Sequence, residues 1–540
     1  MSVEEGLERL EHEQWGATVA LGVRRGLNNV VCSDWCAHSA ERYKDRNLLC
    51  ADVSVATMPK IPRLPLTLLL CVLLLGTAAT SDALASHGQV TYFEASNDVL
   101  EGRSRARAFA QMQSLGVRAL RVELKWGDVA PGPVSAAKPS FNAKDPARYA
   151  WGAYDAVLAE AQRLHWSVLL TVTAPAPRWA TSNRKAPYIT RPDAKDFREF
   201  MYAVARHYGS QVAIYSIWNE PNHPAFLLPQ WKSNGTPESP RIYRGLYQAG
   251  YEGLQEAGLA RPKVLFGETA PTGYTTVNVR REGRKALLHD VAPLAFVRGA
   301  LCLNPHYRKS GSCGPLQMSG YAHHAYTLPA GPFYVSPQKD SVTLGSLSRL
   351  SRALDLAARA HAIPGRLPIY LTEFGVQSKP NKQLGVSVAQ QAEFDAIAER
   401  IAYSNGRVAA FSQYLLRDDP LGGPPGASAR GGVVGFQTGL EYVNGKPKPL
   451  YFGWPVPLTV GKRHGGFSLW GLVRPTGGST KVTVLVRTSK RSGRYRVLKT
   501  VTTNSSGYWG FRSSVRGVAW RVRWKSPAGA KYEGPPIRAY

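Results

Sequence analysis

Acidic residues are scarce in this chain: its 540 residues hold 38 Asp plus Glu against 67 Lys plus Arg, a formal charge of +29. A surplus of that size favours anionic surfaces, whether cell-wall polymers, acidic polysaccharide, lipid headgroups or nucleic acid. Cysteine is rare as well. Six residues without a C-x-x-C pair exclude a disulfide-dense scaffold and offer no zinc site. No heptad or triplet repeat runs through the sequence, which excludes coiled coil and collagen. The apolar run at 64–76 stops at 13 residues, short of the ~20 that span a bilayer. What is present is a core: 44% of residues are hydrophobic and 10% aromatic, so wholesale disorder is excluded. The length allows about two to four domains, although a (β/α)8 barrel can use 250 residues or more as one.

The run at 64–76 fits the apolar region of an export signal. A short basic stretch from Met58 to Arg63 precedes it, and Ala83-Leu84-Ala85 follows as a small-x-small cleavage site. We therefore expect a signal peptide at 58–85, translation from Met58 and a mature chain from Ser86. Residues 1–57 are then a doubtful extension from a start called too far upstream; the alternative is a cytoplasmic extension with a short membrane anchor. Cys32, Cys36, Cys50 and Cys71 all precede Ser86, leaving Cys302 and Cys313, an even pair suited to one disulfide outside the cell. Residues 1–85 carry 8 basic and 10 acidic residues, so 59 against 28 remain and the mature charge is +31. The expected location is secreted or cell-wall associated.

From about 88 to 455 extended apolar segments alternate with helical patterns. Strands are expected at 89–95, 117–124, 167–173, 212–218, 263–267, 320–326, 368–374 and 407–415. Apolar residues at three- and four-residue spacing mark helices at 147–164, 194–208 and 388–402. Eight such units favour a (β/α)8 TIM barrel at 86–457 over a doubly wound sheet. After about 460 short alternating runs and turn signals replace the helical spacing. This reads as a small all-β sandwich domain at 461–540. Gly445 to Pro449 and Trp454 to Pro457 read as the barrel's end and a stiff linker.

Catalytic groups of such barrels sit at the C-terminal ends of strands. Glu220 ends the fourth strand and Glu373 the seventh, each directly after apolar residues where an unpaired carboxylate is costly. Two carboxylates facing across a barrel mouth suit glycosidic hydrolysis, one held protonated as the acid and one ionised as the nucleophile. Glu268 ends the fifth strand and reads as a substrate contact rather than a catalyst. Glu123 is expected to pair with a base in the barrel. Trp126, Trp179 and Trp231 are candidate sugar platforms, the first two because they lie just past strand ends. Cys302 and Cys313 are expected to staple a mouth loop by a disulfide; a free or metal-binding pair is the alternative. His306 and His323 form no metal constellation, and neither a metal nor another cofactor is expected.

Trp218-Asn219-Glu220-Pro221 and Thr372-Glu373-Phe374-Gly375 resemble the acid/base and nucleophile motifs of the retaining (β/α)8-barrel glycoside hydrolases with catalytic glutamates on strands four and seven. Within that clan the chain is similar to cellulase-type family 5 and β-xylosidase-like family 39. The likeness covers roughly 88–455. It implies Glu220 as acid/base, Glu373 as nucleophile and Asn219 on the sugar 2-hydroxyl. It further implies Arg121 beside the nucleophile, and His324 with Tyr326 as the strand-six His-x-Tyr. The chain departs from the clan after strand eight, where many members carry a sugar-stacking Trp and this sequence offers only Gln413 and Tyr414.

The tail 461–540 holds 17 Lys plus Arg against Glu533 alone, with Trp470, Trp509, Trp520 and Trp524. It reads as a module for anionic cell-wall polymer or as a spacer with a solvated basic face. Nucleic acid is not an expected partner of a secreted chain, and the membrane is met only through the signal peptide. The leading function is a secreted retaining glycosidase on a β-linked oligo- or polysaccharide. The alternatives are a carbohydrate-binding or wall-associated protein with an inactive barrel, and a transglycosylase using the same residues.

Overall fold

The computed structural model describes residue 86 and residues 88–540, apart from 183–185, 328, 383 and 421–434. The expected signal peptide at 58–85 and the extension before it lie outside the described residues. No helix among those described is long and apolar enough to cross a membrane.

Eight parallel strands close into a barrel in sequence order: β1 (Val90–Glu94), β2 (Ala119–Lys125), β3 (Ser167–Thr173), β4 (Ile214–Ile217), β5 (Val264–Thr269), β6 (Gly320–His324), β7 (Ile369–Glu373) and β8 (Val408–Tyr414). Closure is made by β1 on β8, with Val90 opposite Ala410 and Glu94 opposite Tyr414. All eight expected strands are present. The helices covering them include α1 (Gly102–Ser114), α2 (Gly152–Arg163), α3 (Ala194–Tyr208), α4 (Ser239–Glu256), α5 (Pro293–Ala300), α6 (Leu347–Arg359) and α7 (Val388–Tyr403). Their starts follow from capping chemistry. The Asp193 side chain accepts from the Asp196 N–H at the head of α3, and Ser387 with Gln390 forms a capping box on α7. Helix α2 starts five residues later than its apolar spacing predicts, because Pro146–Arg148 is taken into a 3-10 turn capped by Asp145.

The barrel interior follows from alternation within the strands. Tyr92, Ala119, Leu169, Ile214, Leu265, Ala322, Tyr370 and Ala410, one from each strand, pack together as an apolar floor. Two residues further along, on the same face, the sequence turns polar: Glu94, Arg121, Thr171, Ser216, His324, Thr372 and Ser412 are all buried. This second layer lies just below the C-terminal mouth.

The β-rich tail is two antiparallel sheets. One has the order β13 (Trp509–Ser513), β10 (Gly466–Gly471), β9 (Leu458–Arg463). The other has the order β12 (Arg496–Thr502), β11 (Lys481–Arg487), β14 (Ala519–Lys525), β15 (Lys531–Glu533). Their shared core takes in Val482, Val484, Val486, Trp509, Trp520, Val522 and Trp524. The expected boundary at 461 falls inside β9, and the expected linker is part of the fold. Trp454 is buried edge-on against Phe93 at 5.4 Å, and the Arg474 guanidinium lies 3.8 Å from the centre of its ring. Arg474 also makes a two-pronged ion pair with Glu399 of α7, at 2.8 and 2.6 Å, with Glu399 fully buried. Tyr403 of α7 packs on Tyr508 and Trp470. The sheets are therefore packed onto the barrel rather than strung from it.

Cys302 and Cys313 form a disulfide with their Cα atoms 6.0 Å apart. Both residues lie between α5 and β6, in a segment beside the first turns of α4, where Arg244 donates to the carbonyls of Ala300 and Gly314.

Candidate active site

Three departures from regular backbone place the carboxylates. After β4, Trp218 and Glu220 take positive φ, 67° and 35°, which turns the chain sharply at the motif. Non-glycine residues adopt this region at a cost, and such strain concentrates at functional sites. In β5 the register against β6 slips between Gly267 and Thr269, and Glu268 sits in the slip with φ 49°. A bulge of this kind re-aims one side chain, here into the barrel. At the end of β7 the register against β6 slips as well, between Ala322 and His324, and this turns Glu373 toward Arg121.

Arg121 is the hub. One guanidinium nitrogen donates to Glu94 and to Glu373 Oε1 at 3.2 Å. The other donates to Asn219 Oδ1 at 2.9 Å, Glu268 Oε2 at 3.0 Å and Glu123 Oε1 at 3.4 Å. His324 is the second hub. Its Nδ1 lies 2.8 Å from Glu220 Oε1 and 3.1 Å from Glu373 Oε2, and its Nε2 lies 2.7 Å from Glu268 Oε2. A neutral imidazole has one N–H, so acceptors on both nitrogens call for the doubly protonated ring. Burial works against that charge, but Glu373, Glu220 and Glu268 outweigh it and raise the His324 pKa well above 6.5.

Two cations thus serve five carboxyls. Burial is the largest influence on each of the four for which a shift is resolved, and it favours the protonated form. It prevails at Glu94, lifted well above the ordinary value despite Arg121, and at Glu123, also raised. It loses at Glu373, which His324 and Arg121 hold below the ordinary value, and at Glu268, which Arg121 and His324 hold at about 2. Glu373 is therefore an anion, backed by the Tyr326 hydroxyl, which donates to Oε2 at 3.1 Å. Burial and Glu373 push the Tyr326 pKa well above 10, so it remains a donor.

Exposure separates the roles. The Glu220 and Glu373 side chains keep 14% and 9% of their surface open, whereas Glu268 and His324 keep none. Oxygens of Glu220 and Glu373 and a ring nitrogen of His324 lie within 4.8 Å of one another. Glu94, Glu123 and Glu373 also converge, but Arg121 bonds to all three.

Glu220, Glu373, Asn219, Arg121, His324 and Tyr326 come together as the sequence predicts, and Glu123 meets its base in Arg121. Three expected substrate contacts, Glu268, Trp126 and Trp231, are buried instead. Glu268 is no substrate contact: it is closed from solvent, and Arg121, His324, Thr171 at 3.1 Å and Thr372 at 3.0 Å occupy its oxygens. Trp126 is fully buried against Phe200, Phe197 and Trp179, which leaves no face for a sugar. Trp179 is half-buried, edge-on to Trp126 and Phe141, with the Lys138 ammonium 5.3 Å from its ring centre. Trp231 is also buried, with its indole N–H donating to the His289 carbonyl. Of the strand-eight candidates, Gln413 turns to backbone carbonyls, while Tyr414 joins Tyr326 and Phe436 beside Glu373.

Glu94 was missed, although the signal that selects Glu220 and Glu373, an acid closing an apolar strand, also picks it out. Asn222, directly after the motif, is fully buried. Its amide bonds Ala270 and Val291, tying the loop after β4 to the loop after β5.

No protein-family model matches the chain, and no curated protein matches it. Among solved structures it is similar to a family 39 glycoside hydrolase from Bacteroides cellulosilyticus WH2, with 13% identity, 82% of this chain and 81% of that one covered, and a TM-score of 0.44. A glucosidase from Croceicoccus marinus gives 12% identity, 77% and 90% coverage and 0.43. A family 10 endoxylanase from a sugarcane soil metagenome gives 12%, 68% and 96%, and 0.41.

Proposed function

We propose that this chain is a secreted retaining glycoside hydrolase acting on a β-linked oligo- or polysaccharide by double displacement. The observation that carries the proposal is the pairing of Glu220 with Glu373, whose nearest oxygens lie within 4.8 Å across His324. An inverting enzyme needs its carboxyls about 6.5–9.5 Å apart to admit a water, and a retaining one about 5–5.5 Å. The unequal environments fit unequal roles. Glu373 is ionised and faces the mouth with Oε2 steadied by Tyr326 and His324, as a nucleophile requires. It attacks the anomeric carbon while Glu220 gives its proton to the leaving oxygen; Glu220 then takes a proton from the water that releases the sugar.

Arg121 and His324 act through the carboxylates and are positioning residues. Asn219 has its Oδ1 held by Arg121, so the amide nitrogen is the end left to meet a sugar hydroxyl. The Cys302–Cys313 disulfide supports an oxidising compartment and hence export. Hydrolysis of a panel of β-linked polysaccharides and aryl β-glycosides tests the reading. Turnover that disappears in both Glu220→Gln and Glu373→Gln is the expected result. A folded wild-type chain that binds sugars and turns over none of them would leave a carbohydrate-binding protein instead.

A further inference from the structure

The β-rich tail left two readings open, a binding module or a spacer. Aromatic platforms are the usual device of the first, and the fold removes them: Trp470, Trp509, Trp520 and Trp524 are all buried. What remains outside is charge. In the sheet β12-β11-β14-β15 the inward positions are Val482, Val484, Val486, Trp520, Val522 and Trp524. The alternate positions carry Lys481, Arg487, Arg521, Arg523, Lys525 and Lys531, the four outermost exposed and Arg487 and Arg521 half-buried beside the covered Leu485 and Ala519. One acid shares this face. Glu533 is already bonded to Arg521 at 3.0 Å and Arg523 at 2.7 Å.

The arrangement runs against ordinary sheet design. Lys525 stands directly opposite Lys531 across β14 and β15, and like charges in that register destabilise a sheet. Tyr495 lies between two cations, with the Arg487 and Arg521 guanidiniums 5.7 and 4.8 Å from its ring centre. A flat face with several cations and one committed acid is complementary to a polyanion that lies along it.

We infer that this outer face is a docking surface for an anionic polysaccharide bearing carboxylates along its chain, the group that Arg521 and Arg523 already hold on this face in Glu533. Charge rather than stacking recognises the polymer, because no indole of the tail is open to a sugar or a base. That absence also disfavours single-stranded nucleic acid, whose binders rely on exposed aromatic rings. The buried Arg474–Glu399 pair holds the tail to α7, so a polymer on the face is kept beside the barrel at a raised effective concentration. Only this last step rests on the hydrolase reading.

The test is equilibrium binding of the full chain to polygalacturonate, to poly(glycerol phosphate), to a neutral β-glucan and to duplex DNA, each at several salt concentrations. The variant is Lys481→Glu/Lys525→Glu/Lys531→Glu, chosen because these lysines are exposed and make no ion pair in the structure; thermal melting checks that it folds. Binding to polygalacturonate that weakens with salt, and whose Kd rises about tenfold or more in the variant, is the expected result. Equal binding by a folded variant, equal binding to neutral glucan, or tighter binding to poly(glycerol phosphate) or DNA than to polygalacturonate would overturn the inference. Binding is read without turnover, so failure of the hydrolase reading leaves this result standing. Should the triple variant not fold, the single Lys531→Glu on the exposed strand β15 carries the same test.

Discussion

Glu268 touches no solvent, yet it holds the site's charge pattern, and Glu268→Gln isolates that function. The substitution keeps the shape and removes one negative charge. Oε2 accepts from Arg121, His324 and Thr372, and Oε1 accepts from Thr171. A glutamine oxygen can keep the first set while its amide donates to the Thr171 hydroxyl, so the variant folds. The carboxyl is held at about 2 against an ordinary 4.5, a net preference for the anion of about 3 kcal/mol at 1.36 kcal/mol per unit. The shift is downward, so the stability it contributes is complete above pH 4.5 and is lost as pH falls toward 2. His324 shifts the opposite way: its charged form is secure below its raised pKa and is lost as pH rises through it. Replacing the anionic acceptor on His324 Nε2 with a neutral oxygen, a loss of about 1.5–3 kcal/mol, lowers that pKa by about one to two units. The pH profile of kcat/KM on an aryl β-glycoside should therefore lose its alkaline limb one to two units earlier in Glu268→Gln. Fluorescence melts at each pH confirm folding. A uniform loss of activity with an unmoved profile would refute the reasoning and leave Glu268 a structural residue only.

Other consequences are as direct. Arg474→Ala should cost about 3–5 kcal/mol, because it strands the fully buried Glu399. Replacing both residues with Met should restore most of that in urea unfolding, and a single-variant loss below about 1 kcal/mol would contradict the packing of the tail on α7. Tyr326→Phe removes the hydroxyl on Glu373 Oε2 and should lower kcat/KM about 10- to 100-fold, the worth of one hydrogen bond to an ion, with an unchanged melt. Unchanged turnover would remove Tyr326 from the site.

Elements with strong periodicity were legible in the sequence. All eight strands and helix α3 (Ala194–Tyr208) fall where alternation and three- and four-residue spacing place them. The proposed catalytic pair, Glu220 and Glu373, was legible because an acid after an apolar strand violates the burial rule. What failed depends on direction rather than on position along the chain. Trp126 does follow a strand end, but helix α3 offers Phe197 and Phe200, and burying the indole against them removes more apolar surface than leaving it at a rim. Glu268 was placed at the mouth because it ends a strand; the bulge that turns it inward has no signature beyond Gly267 beside it. The stretch from Trp454 to Pro457 read as a linker from its prolines, and the cation that buries Trp454 lies 20 residues on, at Arg474.

The most direct test of double displacement is the configuration of the azide product. In Glu220→Ala a dinitrophenyl β-glycoside leaves without protonation, so Glu373 still forms the glycosyl-enzyme, and hydrolysis then stalls for want of a base. Added azide should restore turnover, and proton NMR of the product should show the β-glycosyl azide. In Glu373→Ala azide enters from the opposite face and should give the α-azide. An α-azide from Glu220→Ala, or an inverted anomeric centre in the wild-type hydrolysis product, would contradict the assignment of Glu220 as acid/base and Glu373 as nucleophile.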